Sequence, residues 1–242
     1  MKANVGLIGK GKWGKIIKSK LIKISNLKFS AGKKENYLKL IKNNHLNWIF
    51  IVTPNNTHFK IVKNCLNLKL NVFCEKPLTT TYKKTKELIN IAKKNNVKLY
   101  ISDIYSFHNL KIKKLLLRNS VFRSKRVSNQ DKEFLFRFMY HDISILFNYF
   151  KKLKIKSIKV HQDKKKIIKI KIKFNNDRLI VFKYCLNSPT KRHIINDINF
   201  ISKKDILKKM LTSVLNGKVD IKSNNNKAMF ISRFLDIIKK KI

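Results

Sequence analysis

Short apolar runs and stretches of helically spaced apolar residues take turns along the first hundred positions. Residues 4 to 8 are a short apolar run read as a buried strand. Ile16, Ile17 and Leu21 then recur at helical spacing. Leu27 to Ala31 predicts a second strand and Tyr37 to Ile41 a short helix. Trp48 to Val52 is continuously apolar and closes on Thr53-Pro54-Asn55-Asn56, a turn composition. Phe59, Val62, Cys65 and Leu66 mark another helix. Val72-Phe73-Cys74 is a buried strand stopped at Pro77. Leu88, Ile89 and Ala92 share one face of a helix over Thr85 to Lys94, and Val97 to Ile101 is a further strand. Continuously apolar strands alternating with helices predict a parallel sheet with crossover helices.

The period changes in the second half. Ile168-Lys169-Ile170-Lys171-Ile172-Lys173-Phe174 alternates strictly, the mark of an antiparallel strand with one wet face. Leu179 to Tyr184 is a second strand, and Asn175-Asn176-Asp177 between them signals a hairpin. Ile143, Leu146, Phe147 and Phe150 form a helical apolar face, and a last helix is expected from about Ala228 to Ile238. The pattern predicts an α/β chain. An N-terminal parallel-sheet α/β domain (1–105) is followed by a compact α+β domain with an open, mainly antiparallel sheet (106–242).

Composition changes this picture little. Hydrophobic residues are 43% of the 242, enough for a core, which excludes a disordered basic tail. No apolar run approaches the length of a membrane-spanning helix, and Met1-Lys2-Ala3-Asn4 leads straight into the first strand, so neither a membrane segment nor a signal peptide is expected. Three cysteines are an odd number at spacings that suit neither a disulfide framework nor a zinc site, and they point to a reducing cytoplasm. No metal ligands are expected.

Charge is the outlying feature. Fifty-seven Lys and Arg against 13 Asp and Glu give a net charge of +44. Only seven of the cations are Arg, and they are spread along the chain. Specific phosphate and base recognition favours Arg forks, so no specific nucleic-acid partner is expected. A coding bias towards adenine and thymine gives the same Lys-, Asn- and Ile-rich mixture. The charge should still draw anionic ligands and bind polyanions non-specifically.

Gly9-Lys10-Gly11-Lys12-Trp13-Gly14 fits G-x-G-x-x-G and stands between a strand and a helix, the context a dinucleotide-binding loop requires. The first Gly allows the tight turn, the second lets a pyrophosphate approach, and the third lets helix pack on strand. The helix N-terminus then offers N–H groups to phosphate. The second strand ends Ala31-Gly32-Lys33-Lys34-Glu35. No carboxylate stands directly at its tip to accept from an adenosine ribose, although Glu35 is near. Lys33 and Lys34 suit a 2′-phosphate, so both NAD and NADP remain open.

The glycine loop, Thr53-Pro54-Asn55-Asn56-Thr57-His58 and Cys74-Glu75-Lys76-Pro77-Leu78 together resemble the glucose–fructose oxidoreductase, inositol dehydrogenase and MocA family. Tyr140-His141-Asp142-Ile143-Ser144-Ile145-Leu146 is similar to that family's H-D-I segment. The resemblance implies an N-terminal dinucleotide-binding Rossmann domain over 1–105, a substrate-binding and dimerisation α+β domain over 106–242, and an NAD(P)-dependent oxidoreductase acting on a CH–OH group of a sugar, cyclitol or sugar nucleotide, with surface-polysaccharide synthesis as one setting. It implies Lys76 beside the nicotinamide, polarising the reacting hydroxyl, and His141 as acid–base. Gly9, Gly11, Lys12, Trp13, Gly14, Lys33, Thr53, Pro54, Asn55, His58, Glu75, Lys76 and Pro77 become the expected cofactor contacts. Arg137, Tyr140 and Asp142 become the expected substrate contacts. A cytoplasmic homo-oligomer with a small-molecule substrate and no membrane partner is expected. The Lys76-Pro77 bond is often cis in such enzymes. His141 is expected at the start of its helix.

One position departs from the pattern. Four residues before this His many members carry Asp, and here the residue is Arg137. An Arg sets like charge beside a protonated His rather than orienting it. The enzyme works with Lys76 and His141 alone, or Arg137 grips an anionic substrate, or the chain is a catalytically silent cofactor- or metabolite-binding protein on the same fold.

Overall fold

The computed structural model describes residues 2–107, 118–126, 132–150, 154–162, 167–196, 198–199 and 205–241. It divides into two compact units, Met1–Phe107 with Asp205–Arg233, and His108–Lys204 with Phe234–Ile242.

The first unit is built on five parallel strands: β1 (Asn4–Ile8), β2 (Asn26–Ala31), β3 (Trp48–Ile51), β4 (Asn71–Cys74) and β5 (Leu99–Ile101). Their spatial order is β2-β1-β3-β4-β5, so the chain reverses its direction of travel between β1 and β3. Ligands of open α/β sheets bind beyond the carboxyl ends of the strands at such a switch point. The crossovers are α1 (Lys12–Ile24), α2 (Tyr37–Lys42), α3 (Asn55–Asn67) and α4 (Tyr82–Lys94). The continuous apolar runs arise because these strands are covered on both faces. Val5, Leu7, Phe50, Phe73 and Tyr100 are buried with Ile17 and Leu21 of α1. Phe50 and Phe73 stack at 4.9 Å between ring centroids.

The same core takes Leu207, Met210, Leu211 and Val214 from α6 (Ile206–Leu215), a helix absent from the sequence reading. Those four positions have helical spacing, and the Asp205 side chain caps the helix by accepting from Lys208 N–H at 3.1 Å. The helix α7 (Ile221–Lys239) begins seven residues earlier than Ala228, the start expected from its apolar face. Its polar first turns have a task at the edge strand β5. The Asn224 amide accepts from Ile101 N–H at 2.8 Å and donates to Ile101 C=O at 2.9 Å, so the side chain pairs the open edge as a strand would. The second domain was expected to hold everything after residue 105. Instead the chain leaves the first unit after Phe107 and returns to it at Asp205, because α6 and the start of α7 complete the Rossmann core.

The second unit holds β6 (Arg118–Arg126), α5 (Lys132–Phe150), β7 (Ile155–Gln162), β8 (Ile167–Phe174), β9 (Leu179–Cys185), β10 (Asn187–Ile195) and β11 (Ile198–Asn199). The sheet order is β11-β10-β6-β9-β8-β7. All neighbours are antiparallel except β6 with β9, which makes the sheet mainly antiparallel, as its alternation predicts. Ile168, Ile170, Ile172, Phe174, Phe182 and Tyr184 are buried, as are Leu135, Met139, Ile143 and Leu146 of α5. The alternating lysines of β8 point the other way. β6 and β10 were missed because they are polar strands, set by pairing rather than by periodicity; β10 carries Pro189 within a break in its register with β6.

Candidate active site

The turn from β1 into α1 is built from contacts that only glycine allows. Gly9 has φ +124°, and a Cβ there would lie 2.3 Å from Val52 O. A Cβ on Gly14 would lie 2.0 Å from Gly9 O, so the third glycine lets the helix rest on the strand. Gly11 differs: a Cβ there meets nothing within 4 Å. It is the N-cap of α1, no side chain caps that end, and its first turn holds no acid. The first-turn N–H groups, flanked by Lys10 and Lys12, therefore form an open cationic end. Trp13 beside it is exposed.

At the tip of β2 the structure brings in a carboxylate that the strand itself lacks. Glu35 folds back so that its Oε2 accepts from Gly32 N–H at 2.9 Å, while Lys10 Nζ pairs with its Oε1. The Lys10 hydrogen bond, then the Gly32 N–H, hold its carboxyl below the usual carboxylate range. Lys33, expected there as a cofactor contact, is an exposed turn residue. Spacing along the chain hides Glu35, because it reaches the tip only through the turn after Gly32. The Gly-Lys-Lys-Glu turn composition was the available signal.

The next two strand ends meet through His58. It lies in the first turns of α3, fully buried. Its Nδ1 is 2.9 Å from Pro77 O and its Nε2 is 2.8 Å from Thr53 O. Expected to line a cofactor, the ring has both nitrogens occupied by backbone carbonyls and no exposed surface. Burial lowers its pKa from the ordinary value, opposed by the Pro77 and Thr53 carbonyls and the Glu75 carboxylate. Thr53 is half-buried, its Oγ1 accepting from Thr57 Oγ1 at 2.7 Å; Asn55 is half-buried and Pro54 exposed.

The segment after β4 carries the two charges expected there. Glu75 is 8% exposed, its N–H donates to Ile51 O at 2.9 Å, and its Oε2 accepts from Lys76 N–H at 3.3 Å. Its Oε1 is buried with no hydrogen-bond partner among the described residues. A buried acceptor left without a donor is unfavourable by about 1–3 kcal/mol, and more when charged. Lys76 is half-buried and the Lys76-Pro77 bond is cis, as the resemblance implied. Beneath this turn the Cys74 thiol is fully buried, and burial pushes its pKa well up, so it is no nucleophile.

The β5 end carries a further cluster that sequence reasoning did not reach. Lys227 Nζ donates to Asp103 Oδ2 at 2.7 Å and to Ser106 Oγ at 2.9 Å. Asp103 and Lys227 lie 124 residues apart, so nothing local in the sequence announces the pair.

In the second unit, Arg137, Tyr140, His141 and Asp142 all lie on α5. His141 is not at the start of its helix: α5 begins at Lys132, because Leu135 and Met139 extend its buried face backwards. Arg137 and His141 are half-buried and one turn apart. Tyr140 and Asp142, expected to contact substrate, are buried. The Asp142 carboxylate accepts from Tyr184 OH at 2.9 Å. Its Oδ1 lies 2.8 Å from His193 Nε2. His193 has no precedent in the sequence reading, since β10 itself was missed.

Among the described residues no group of three His, Cys, Asp or Glu is placed to hold a metal, and no helix is long and apolar enough to cross a membrane.

Residues 16–102 match the model of the oxidoreductase family with an NAD-binding Rossmann fold. An uncharacterized oxidoreductase of Schizosaccharomyces pombe is 36% identical over 63 residues, which are 26% of this chain and 17% of that protein. The matched stretch thus spans under a fifth of that relative. Among solved structures, the UDP-N-acetylglucosamine 3-dehydrogenase of Acidithiobacillus ferrooxidans superposes with a TM-score of 0.83 at 14% identity, covering 100% of this chain and 98% of that one. The WlbA dehydrogenase of Thermus thermophilus, solved with NAD and α-ketoglutarate, gives 0.73 at 12% identity over 96% and 93%. At these identities the likeness is one of fold.

Proposed function

We propose that this protein, whose residues 16–102 match the model of the glucose–fructose oxidoreductase, inositol dehydrogenase and MocA family of oxidoreductases, is an NAD-dependent dehydrogenase. Its substrate is a CH–OH group of a sugar, cyclitol or sugar nucleotide, and solved structures of similar fold include a sugar-nucleotide dehydrogenase. The observation that carries the reading is the buried, partnerless Glu75 Oε1 beyond the carboxyl ends of β3 and β4. A ribose hydroxyl or an amide N–H of a dinucleotide supplies the donor this oxygen lacks.

The rest of the first unit fits the same ligand. Gly11 leaves room for a pyrophosphate against the uncapped end of α1. The Glu35 carboxylate at the β2 tip accepts from ribose hydroxyls and repels a 2′-phosphate, which favours NAD over NADP. A bound nicotinamide supplies the hydride acceptor or donor. Lys76 is assigned to polarise the substrate oxygen and stabilise its negative charge as the proton leaves, and His141 to exchange that proton. Both roles follow the family motifs. Arg137 then grips an anionic part of the substrate, a task suited to its fork.

The test is turnover. A screen of sugars, cyclitols and sugar nucleotides with NAD or NADH should find a productive substrate. Lys76→Ala should then lower kcat by about 10²-fold or more, with NADH affinity within a few-fold of the parent. Unchanged turnover removes the lysine assignment. NADH binding with no productive substrate supports the non-catalytic reading that Arg137 raises.

A further inference from the structure

Each ring nitrogen of His58 faces a backbone acceptor: Nδ1 lies 2.9 Å from Pro77 O and Nε2 2.8 Å from Thr53 O, with the Leu78 backbone also near the ring. A neutral imidazole owns one N–H, so it donates to one carbonyl and turns a lone pair towards the other. We propose that His58 is a positioning residue for the Lys76 turn, tying the end of β3 to the turn after β4, and that it makes both ties only with a proton on each ring nitrogen. The proposal rests on the assignment of Lys76 to the site but not on any ligand.

The arrangement supplies the counter-charge this needs. Glu75 is buried, acts on the imidazole as an opposite charge, and keeps one oxygen without a hydrogen-bond donor. The other charges on the packed elements are Lys76 on the same turn, the Lys63–Glu87 pair between α3 and α4, Lys84, whose ammonium sits over the Phe59 ring, Lys60 of α3, and Lys83, Lys86, Lys93 and Lys94 of α4. The Cys74 thiol stays neutral. Burial sets where the change falls: it pulls the ring below the ordinary histidine value, so the second tie forms on the acid side of that value. Above it, the neutral ring holds one strand end and releases the other. Pro77 follows Lys76 directly, so releasing its carbonyl frees the turn that carries the lysine.

The experiment is a pH titration, from 5 to 8, of the full chain labelled with ¹⁵N-histidine and uniformly in the backbone. Six histidines are to be resolved, and His58→Gln identifies its signals. Expected at low pH are two protected ring N–H signals for His58, replaced by one as pH rises through a midpoint below about 6.5. The Thr53 and Lys76 backbone amides should shift with that midpoint. Glu75→Gln should move it further down, by about tenfold in proton affinity. A His58 ring that gains its second proton without moving the Lys76 amide overturns the positioning role. A ring that does not titrate in this range, or that titrates at the exposed value without protected N–H signals, overturns the clamp. If His58→Gln does not fold, sequential backbone assignment identifies the ring and the parent titration decides. Absence of NADH binding in the same sample overturns the dehydrogenase reading and leaves the clamp to be judged on these shifts.

Discussion

The carboxylates of the two units are held differently. In the first unit Glu75 keeps a buried oxygen without a donor among the described residues, and Glu35 sits half-buried at a strand tip. In the second unit Asp142 is fully enclosed, with Tyr184 OH at 2.9 Å and His193 at 2.8 Å. One carboxylate keeps an oxygen with no donor among the described residues, and the other has a buried side chain of the sheet close to each of its oxygens. The difference teaches where to look for binding in each motif. Glu-Lys-Pro presents its charges beyond the ends of a parallel sheet, where crossover turns leave polar groups open. His-Asp-Ile spends its Asp on holding α5 to the sheet, and leaves the half-buried His141 and Arg137 to do any chemistry.

That contrast breaks most readily at Asp142. Asp142→Ala removes the acceptor of the buried Tyr184 hydroxyl and the carboxylate beside the buried His193. A buried polar group deprived of its partner is unfavourable by about 1–3 kcal/mol and two such groups are affected, so urea unfolding should show a large loss in the second unit. NADH affinity, set in the first unit, should change little. Gly14→Ala comes next. Its Cβ would fall 2.0 Å from a backbone oxygen, and overpacking of this kind destabilises by about 1–3 kcal/mol; both stability and NADH binding should fall.

Gly11→Ala sharpens the comparison, because there the two effects separate. Its φ is −66° and a Cβ meets nothing, so stability should stay within about 0.5 kcal/mol or rise slightly. NADH affinity should nonetheless drop, since the methyl group takes the space of the pyrophosphate; isothermal titration reads both variants. The smallest effect is that of His58 on acid stability. Its folded pKa is depressed, so the unfolded chain takes up the proton first. Its contribution is present above the ordinary value of about 6.5 and is lost as pH falls through the folded pKa. Urea midpoints at pH 7.5 and 5.5 should therefore differ less in His58→Gln than in the parent.

Much of the first unit was legible because parallel strands covered on both faces must be continuously apolar, as Trp48 to Val52 and Val72 to Cys74 are. The glycine loop was legible because Gly9 and Gly14 answer steric demands of the fold and Gly11 stands at the open helix end between them. Glu35 was not, since a turn rather than a strand delivers it to the β2 tip. The Asp103–Lys227 pair was not, since its members are far apart in sequence. In the second unit, β8 announced itself by alternation and β9 by a more continuously apolar run, whereas β6 and β10 owe their existence to their neighbours. With β10 went His193, and with it the reason Asp142 is buried. The spacing of Leu207, Met210, Leu211 and Val214 behind Asp205 did signal α6; its membership of the first unit is a fact of packing that no local pattern carries.

The most direct test of the central claim is a titration of the purified chain with NADH and with NADPH at about 200 mM salt, where attraction to a +44 surface is largely screened. The account predicts saturable NADH binding and weaker NADPH binding, with Glu35→Ala narrowing the gap. Failure of both to saturate, or NADPH binding the tighter with Glu35 in place, would contradict it.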